Sequence, residues 1–525
     1  MIKIFLILIF LIFSYINYRH LNLAFLSLYS IDEYAFHGSL LTMYEGLVSL
    51  DVRKFFSFGF YSYGFGFFTL NLLLTIPFFL SDNIEMTIYI PRLITSAFAI
   101  GSLYFIYKIS RDYLDNISSI LIGLILVSMP GFWKNAFWFH PDWMMTFFII
   151  LTVYYLSKDS WNFKKFFWLG SVAFGMALAT KIQAITFIPF IFLYVFYDNF
   201  QQKNVADFFI KLKLLTKALS ISILIFLCTN PYLIHPSGLK AFIDSFVTNM
   251  ESNTTNHGLY TNITIMDKIN NTIDYYYLDA FIFVFLIALS VFLSSYIFRK
   301  NKPKNIISIF SILFLINISY LLYNVNKDWQ HYYLALFSLA PLLFIPMIAK
   351  HKKLKYYILS GILIIQVITH TQEYYTVFTK GYHPEKEIPT QEMQQLSSVL
   401  VNALKNHITK DSNILIEGYV PFDFKKLGLT YKNIHIIWGP LQMHMINLEN
   451  YLEKNNTKDS KNFKKIDYVI LPKNSIYFDK EKLKTKIEQN NYNDALEIIE
   501  NFNNNGYLGY EKFKENEYFY IWRKK

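Results

Sequence analysis

Long apolar runs, separated by short polar stretches, dominate the first 370 residues of the chain. A helix that crosses a lipid bilayer needs about 20 apolar residues. The pattern predicts eleven such helices, at residues 4–28, 88–108, 118–131, 143–157, 166–180, 182–198, 218–233, 276–298, 305–323, 331–349 and 356–370. The chain is therefore predicted to be mainly α-helical and to cross a membrane many times.

Basic residues mark one end of these helices. They cluster in five loops, at residues 108–111, 158–165, 203–217, 299–304 and 350–355. Basic loops stay on the cytoplasmic side of a membrane. If all five lie inside, the polar segments 32–82 and 234–275 and the C-terminus lie outside.

The apolar stretch 65–80 is the exception to this alternation. If it crossed the membrane, every later helix would be reversed and the basic loops would face outward. It is therefore predicted to be a juxtamembrane or re-entrant helix on the outer side, where protein or water satisfies its backbone.

Composition narrows the class of protein. Hydrophobic residues make up 54% of the chain and charged residues 17%, too little charge for a soluble protein of 525 residues. Much of the net charge of +11 lies in the basic loops, so nucleic acid is not a predicted partner. Cys228 is the one cysteine, which excludes a disulfide within the chain.

The pattern changes at residue 371, where Asn, Lys and Glu become abundant and long apolar runs stop. Short strand-like runs lie at residues 413–417, 434–438 and 466–471, and the tail 509–523 alternates as a hairpin does. Helical periodicity falls near 391–407 and 480–502. Two domains are predicted: a membrane domain over 1–370 and a soluble, extracytoplasmic α/β domain over 371–525.

Charged residues at the outer ends of the helices are the first candidates for chemistry. Asp32 and Glu33 directly follow the first apolar segment, where they either end the helix in the headgroup region or supply a catalytic base. Arg92 follows Pro91 near a helix start, and its planar guanidinium suits a lipid phosphate. Lys181, at a tight turn, is either a second phosphate contact or an interfacial anchor.

Polar residues in the outer loops are the second set of candidates. Asp142, in the run His140-Pro141-Asp142, could cap the helix that follows, take part in chemistry, or do both. The aromatic cluster at 326–333 could equally be an interfacial belt. A divalent metal on residues of the loop 234–275, with Asp32 or Glu33, is an open alternative; the loop residues are His235, Asp244 and His257.

Taken in order, six motifs resemble those of the C-type (GT-C) glycosyltransferases that use polyprenyl-phosphate sugars. The chain is most similar to bacterial relatives of protein O-mannosyltransferases and of the aminoarabinose transferases that modify lipid A. The motifs are Asp32-Glu33-Tyr34, 61–68, 91–97, 140–142, 175–181 and 331–341. The motif at 61–68 lacks the two prolines usual in the family, and His331 stands where the family usually has Arg.

The resemblance implies transfer of one sugar from a polyprenyl (undecaprenyl) phosphate to an acceptor hydroxyl outside the plasma membrane, with inversion. The acceptor would be a lipid, glycan or protein. By position in the motifs, Asp32, Glu33 and Asp142 would be catalytic, with Asp32 as general base. The donor phosphate would be bound by Arg92 and Lys181. Further substrate contacts would come from Tyr34, His140, His331 and Tyr332. The resemblance implies no particular cofactor. A divalent metal remains an open alternative.

Three other functions fit parts of the pattern. A flippase for lipid-linked sugars would explain the many helices, but it predicts inverted repeats and ionisable residues at the bilayer midplane. An O-antigen-type ligase would use a long outer loop, to which 234–275 is only modestly similar. A structural protein acting through its C-terminal domain leaves the charged motifs unexplained.

Overall fold

The computed structural model describes residues 2–19, 31–201, 205–255, 263–298, 305–351, 353–380, 391–417, 420–430, 433–437, 466–472, 509–516 and 518–525. Two compact units divide the chain. The first consists of Met1–Leu21 and Ala35–Pro384, and the second of Asn22–Tyr34 and Glu385–Lys525. Helix Thr371–Lys380 thus belongs to the first unit, although the composition change at 371 places it in the second domain.

The first unit is helical throughout its described residues. Its early α-helices are Ile2–Arg19, Ile31–Val48 (from Ala35 onward), Val52–Phe55, Phe65–Leu80, Ile84–Arg111, Asn116–Val127, Pro130–Ala136, Asp142–Asp159, Lys165–Thr180, Ile188–Val195, Tyr197–Gln201, Val205–Thr229 and Pro236–Thr255. The later ones are Ile265–Lys268, Ala280–Ser294, Ile306–Tyr323, Leu334–Leu339, Ile345–Ile348, Leu354–Thr369 and Thr371–Lys380. Tighter 3₁₀ turns cover Ile182–Phe187, Pro231–Ile234, Ser295–Phe298, Gln330–Tyr333 and Ala340–Phe344, and a π-helix covers Ile269–Asp274.

The prediction of a mainly α-helical, multi-pass membrane protein is confirmed. Each of the eleven predicted spans overlaps one of these helices or a run of consecutive ones. Among the described residues, six helices are long and apolar enough to cross a membrane: Ile2–Arg19, Ile84–Arg111, Asp207–Thr229, Ala280–Ile297, Ile306–Tyr323 and Gln330–Ile348. Asn116–Val127 and Pro130–Ala136 together form a further candidate, bent by 70°.

The predicted juxtamembrane stretch 65–80 is one continuous helix, Phe65–Leu80. It starts after Gly64 and contains Pro77 in its last turn. Its buried face joins an aromatic cluster with the helix that starts at Ile31, through Phe36, Phe67 and Phe68. This packing holds in place the start of the helix, next to the residues 62–64 that contact the backbone around Lys181.

Side-chain caps explain where several helices begin. Asn83 accepts a hydrogen bond from the backbone N–H of Met86, and Asp115 accepts one from Ser118. Asp279 and Asn305 cap the later helices in the same way. These residues satisfy backbone donors that the first turn of a helix leaves without partners.

The second unit contains helix Gln391–Leu404 and a five-stranded sheet. The strands are β1 (Ile414–Glu417), β2 (Ile434–Ile437), β3 (Tyr468–Pro472), β4 (Tyr510–Glu515) and β5 (Phe519–Lys524), in the order β2-β1-β3-β5-β4. β1 pairs in parallel with β2 and β3, and β5 runs antiparallel to β3 and β4. The small α/β domain is confirmed; the helix expected at 480–502 lies outside the described residues.

Candidate active site

The loop between helices Pro130–Ala136 and Asp142–Asp159 carries the first part of the site. It is buried along its whole length. The indole N–H of Trp143 donates to the carbonyl of Phe132 at 3.1 Å and ties the two helix ends together. His140 and Asp142 are both 1% exposed, so they are held in the protein interior and not at its surface.

Asp142 does not cap its helix. Pro141 occupies the cap position, no side chain bonds to the first turn, and Asp142 is the first helical residue. Its carboxylate instead accepts a hydrogen bond from the Lys181 ammonium at 2.8 Å and contacts Nδ1 of His140 through its other oxygen. The open choice between capping and chemistry is thereby decided against the cap.

The charge of Asp142 is set by these two neighbours. Burial alone would disfavour the ionised carboxylate. Lys181 and His140 outweigh burial and hold the pKa of Asp142 well below its usual range. The residue is therefore a buried carboxylate that stays ionised at neutral pH, in a matched pair with a buried lysine.

Lys181 reaches Asp142 because its backbone is held in an extended conformation. It follows helix Lys165–Thr180 with φ −155° and ψ 126° and forms an antiparallel bridge with Tyr63. The N–H of Gly64 donates to the carbonyl of Thr180 at 2.8 Å, and Ile182 donates to Ser62 at 3.2 Å. Residues 62–64, directly before helix Phe65–Leu80, thus hold the backbone on both sides of Lys181.

His331 approaches the same place from a distant part of the chain. It lies in the turn Gln330–Tyr333, and its ring is 5.1 Å from that of His140 and 4.7 Å from that of Tyr332. The Lys181 ammonium is 5.6 Å from the Tyr332 ring. Five of the predicted site residues are therefore brought together: His140, Asp142, Lys181, His331 and Tyr332.

Arg92 is also buried, at 5% exposure, on helix Ile84–Arg111. One turn later on that helix, the Ser96 hydroxyl donates to the carbonyl of Ala136 at 2.6 Å. Ala136 ends the helix that leads into the His140 loop. The Arg92 helix is thus fastened to the element that carries the Asp142 segment.

The acidic motif occupies the first turn of helix Ile31–Val48. Glu33 is fully buried, whereas Asp32 and Tyr34 are partly buried. One turn after Asp32, the Phe36 ring lies 5.3 Å from the ring of His140.

Aromatic rings surround His140, and the sequence analysis assigned them no role in the site. Trp138 stacks on His140 with a centroid distance of 3.9 Å, and the Tyr63 ring is 5.5 Å away. Tyr63 also faces the Lys181 ammonium at 5.1 Å. In the sequence, Tyr63 lies in the motif at 61–68 and Trp138 in the aromatic stretch before His140, but such aromatic residues are equally typical of membrane belts.

One group of side chains could hold a metal. Within the described residues, ligand atoms of His140, Asp142 and His331 lie within 4.8 Å of one another. Two imidazoles and a carboxylate suit a borderline metal such as Zn²⁺. However, both carboxylate oxygens of Asp142 already have neighbours, Lys181 and His140.

The alternative metal site suggested for the loop 234–275 would use different residues. His235 and Asp244 are exposed, and Nδ1 of His235 pairs with the Ser237 hydroxyl at 2.7 Å. His257 lies outside the described residues. The ligand cluster that the structure does present, His140–Asp142–His331, is drawn from other motifs.

Comparison with known proteins agrees with this architecture. Residues 68–226 match the family described as dolichyl-phosphate-mannose-protein mannosyltransferase. No curated protein matches the chain by sequence.

Two solved structures of ArnT from Cupriavidus metallidurans are similar to the chain. The one bound to undecaprenyl phosphate has a TM-score of 0.56 at 9% identity, and the apo form 0.51 at 10%. Each comparison covers 98% of this chain and 97% of ArnT. The oligosaccharyltransferase of Archaeoglobus fulgidus, in complex with Zn and sulfate, matches at 13% identity with a TM-score of 0.49, over 88% of this chain and 67% of that one.

The site and the fold point to the same conclusion. The matched region 68–226 includes the Arg92, Asp142 and Lys181 motifs, and the ArnT fold extends over nearly the whole chain. Residues 68–226 are thus similar to the dolichyl-phosphate-mannose-protein mannosyltransferase family, and the chain as a whole shares its fold with ArnT.

Proposed function

We propose that the chain transfers a sugar from a polyprenyl phosphate carrier, such as undecaprenyl phosphate, to a hydroxyl group outside the plasma membrane. The observation that carries this proposal is the buried Asp142–Lys181 ion pair with His140 and His331 packed around it. Buried ionisable groups are costly in a membrane protein and mark functional sites. The lipid carrier is supported by ArnT, whose similar structure holds undecaprenyl phosphate.

The donor phosphate is assigned to Arg92 and Lys181. Phosphate is the leaving group, and negative charge grows on it as its bond to the sugar breaks. A buried cation that is already in place stabilises that charge without reorganisation. Lys181 is held in position by its backbone bridge to Tyr63 and by Asp142, so it meets this requirement.

Asp32 is assigned as the general base that takes the proton of the acceptor hydroxyl. The hydroxyl oxygen attacks the anomeric carbon, its proton passes to the Asp32 carboxylate, and the carbon–oxygen bond to the phosphate breaks. The electron pair leaves with the polyprenyl phosphate. Attack opposite the leaving phosphate inverts the anomeric centre. Glu33 would position Asp32, and Asp142 would hold Lys181 and His140 in place.

The remaining predicted contacts would bind the sugar. Aromatic rings and imidazoles stack on the apolar faces of sugars and bond to their hydroxyl groups. His140, His331 and Tyr332 present such groups beside Lys181, and Tyr34 follows the acidic pair on its helix. The partners of the protein are then a polyprenyl-phosphate sugar and a lipid, glycan or protein acceptor.

The test is to replace Asp32 by Asn and, separately, Arg92 by Ala. We expect roughly 10²- to 10⁴-fold less product for Asp32→Asn, because the base is lost. For Arg92→Ala we expect roughly 10²- to 10³-fold less, because the leaving phosphate loses a cation. Product is the envelope glycan that mass spectrometry finds only in cells carrying the gene, divided by the amount of protein.

The matched control is Glu45→Gln. Glu45 is an exposed acid on the same helix as Asp32 and pairs with Lys54 at the surface. Such pairs contribute little to stability, so this variant should keep wild-type product levels. Full activity of Asp32→Asn and Arg92→Ala would rule out this form of the function.

A further inference from the structure

A second buried ion pair lies outside the cluster just described. The Lys134 ammonium donates to the carboxylate of Glu373, and their side chains are 5% and 13% exposed. Lys134 is on helix Pro130–Ala136 and Glu373 on helix Thr371–Lys380. Both residues belong to the first compact unit, although 239 positions separate them.

Two consecutive tyrosines, Tyr275 and Tyr276, contact this pair. The Lys134 ammonium is 4.9 Å from the Tyr275 ring and 4.5 Å from the Tyr276 ring, within cation–π range. The Tyr275 hydroxyl donates to the second oxygen of Glu373. The ammonium and the carboxylate thus each have two kinds of partner, which fixes both side chains in direction as well as distance.

The pair is linked to His140 through the helix that carries Lys134. That helix ends at Ala136, and the chain reaches His140 four residues later and Asp142 six residues later. A rigid helix transmits a displacement of Lys134 to its end at Ala136, where Ser96 attaches, and to Phe132, where Trp143 attaches. Loss of the ion pair would therefore act on the loop that holds His140 and Asp142.

The pair is linked to His331 through the tyrosines. Tyr277 follows Tyr276, and its hydroxyl donates to the carbonyl of Gln330, the residue before His331. Gly131 allows this packing, since a Cβ there would stand 2.5 Å from the Tyr277 ring. One side of the ion pair thus leads to His140 and the other to His331.

We propose that the Lys134–Glu373 ion pair is a positioning device that sets the spacing between the His140–Asp142 loop and the His331 turn. This inference rests on the proposed function, because it assigns a role in that reaction. A buried ion pair seldom adds much stability compared with neutral residues of similar volume. What it adds is a unique geometry, and misplacement by about 1 Å at a catalytic group can cost about 10²-fold in rate.

The experiment separates positioning from stability with three variants. Lys134→Met leaves Glu373 as an uncompensated buried charge and should lower both the melting temperature in detergent and the product in cells. Lys134→Met combined with Glu373→Gln removes both charges, so its melting temperature should return close to that of the wild type. Its product should stay at least tenfold below wild type. Lys134→Arg keeps the cation and should keep at least half of the product.

The control pair is Lys355 with Asp115, an ion pair that joins a basic loop to the cap of helix Asn116–Val127. Lys355→Met with Asp115→Asn should leave the product per protein unchanged. Wild-type product in the doubly neutral Lys134/Glu373 variant would overturn the positioning role while leaving the proposed function intact. Absence of any gene-dependent glycan in wild-type cells would instead overturn the proposed function and the inference that rests on it.

Discussion

Asp142 and Lys181 form the buried ion pair of the candidate site, and each is stable in the protein interior only with the other. A lone carboxylate with 1% exposure, or a lone ammonium with 5%, would cost several kcal/mol of desolvation in a protein interior. Their contact at 2.8 Å offsets that cost and leaves a cation in place for an anionic substrate. Removal of either residue is therefore expected to destabilise the folded protein.

The depressed pKa of Asp142 gives a prediction about pH. A carboxylate whose folded pKa lies below its unfolded value of about 3.9 contributes stability above that value and loses it as pH falls through the folded pKa. Burial opposes this shift, but Lys181 and His140 more than compensate. The contribution of the pair should thus be the same at pH 7 and pH 5.

The measurement compares melting temperatures of wild type and Asp142→Asn in detergent at both pH values. Asp142→Asn leaves Lys181 without its carboxylate, and the loss should be about 3–5 kcal/mol. A difference between wild type and variant that is equal at the two pH values fits the account. A difference that shrinks markedly at pH 5 would show that the pKa of Asp142 in the folded protein is raised above its ordinary value, not lowered.

Removal of metal is a second prediction at this scale. Lys181 and His140 occupy both oxygens of Asp142, so an ammonium already supplies the charge that a metal would bring. We therefore predict that dialysis against a chelator leaves glycosyl transfer by the purified protein unchanged. Loss of transfer that added Zn²⁺ restores, but Mg²⁺ does not, would assign His140, Asp142 and His331 as a metal centre instead.

At the scale of elements, residues 62–64, which lead into helix Phe65–Leu80, hold Lys181 in position. Gly64 lies so close to the end of helix Lys165–Thr180 that a Cβ would stand 1.4 Å from the carbonyl oxygen of Ala179. The obstacle is backbone, which cannot rotate away. A side chain at position 64 must therefore push the segment off the turn that holds Lys181.

We predict that Gly64→Ala destabilises the protein by about 1–3 kcal/mol or more, as overpacking does. It should also reduce product per protein more than its stability loss explains, because the bridge from Tyr63 to Lys181 is disturbed. Gly66→Ala is the matched control, since nothing lies within 4 Å of a Cβ there. Equal behaviour of the two variants in melting and product assays would contradict this role for the segment.

Elements were predictable where their signal is local. Long apolar runs marked the helices, and a short apolar run marked the strand Tyr468–Pro472, because each pattern reports burial of its own segment. The partner of Lys134 could not be predicted, because Glu373 is 239 residues away and only packing brings it near. Likewise, Asp142 and Lys181 each lie in a recognisable motif, but nothing in the sequence shows that they form an ion pair. Nor does the sequence show that Pro141, and not Asp142, occupies the cap position.

At the scale of the whole molecule, the open prediction is orientation. The basic loops place the segments around residues 40, 82 and 140 on the outer side, which requires helix Phe65–Leu80 not to cross the membrane. Reporter fusions at these three positions should all report the outer side. Opposite sides for residues 40 and 140 would show that Phe65–Leu80 or a neighbouring helix is an additional crossing, and the assignment of Asp32 with Asp142 would fail.

The most direct test of the central claim uses purified protein in proteoliposomes with two separate donors, undecaprenyl phosphate carrying mannose and undecaprenyl phosphate carrying aminoarabinose. Extracted envelope lipids and glycans serve as acceptors. The account predicts that one donor is consumed, that free undecaprenyl phosphate is released in equal amount, and that the product is inverted at the anomeric carbon. It further predicts that Asp32→Asn and Asp142→Asn abolish the release. Movement of intact donor across the bilayer without cleavage, or undiminished release by both variants, would contradict the account.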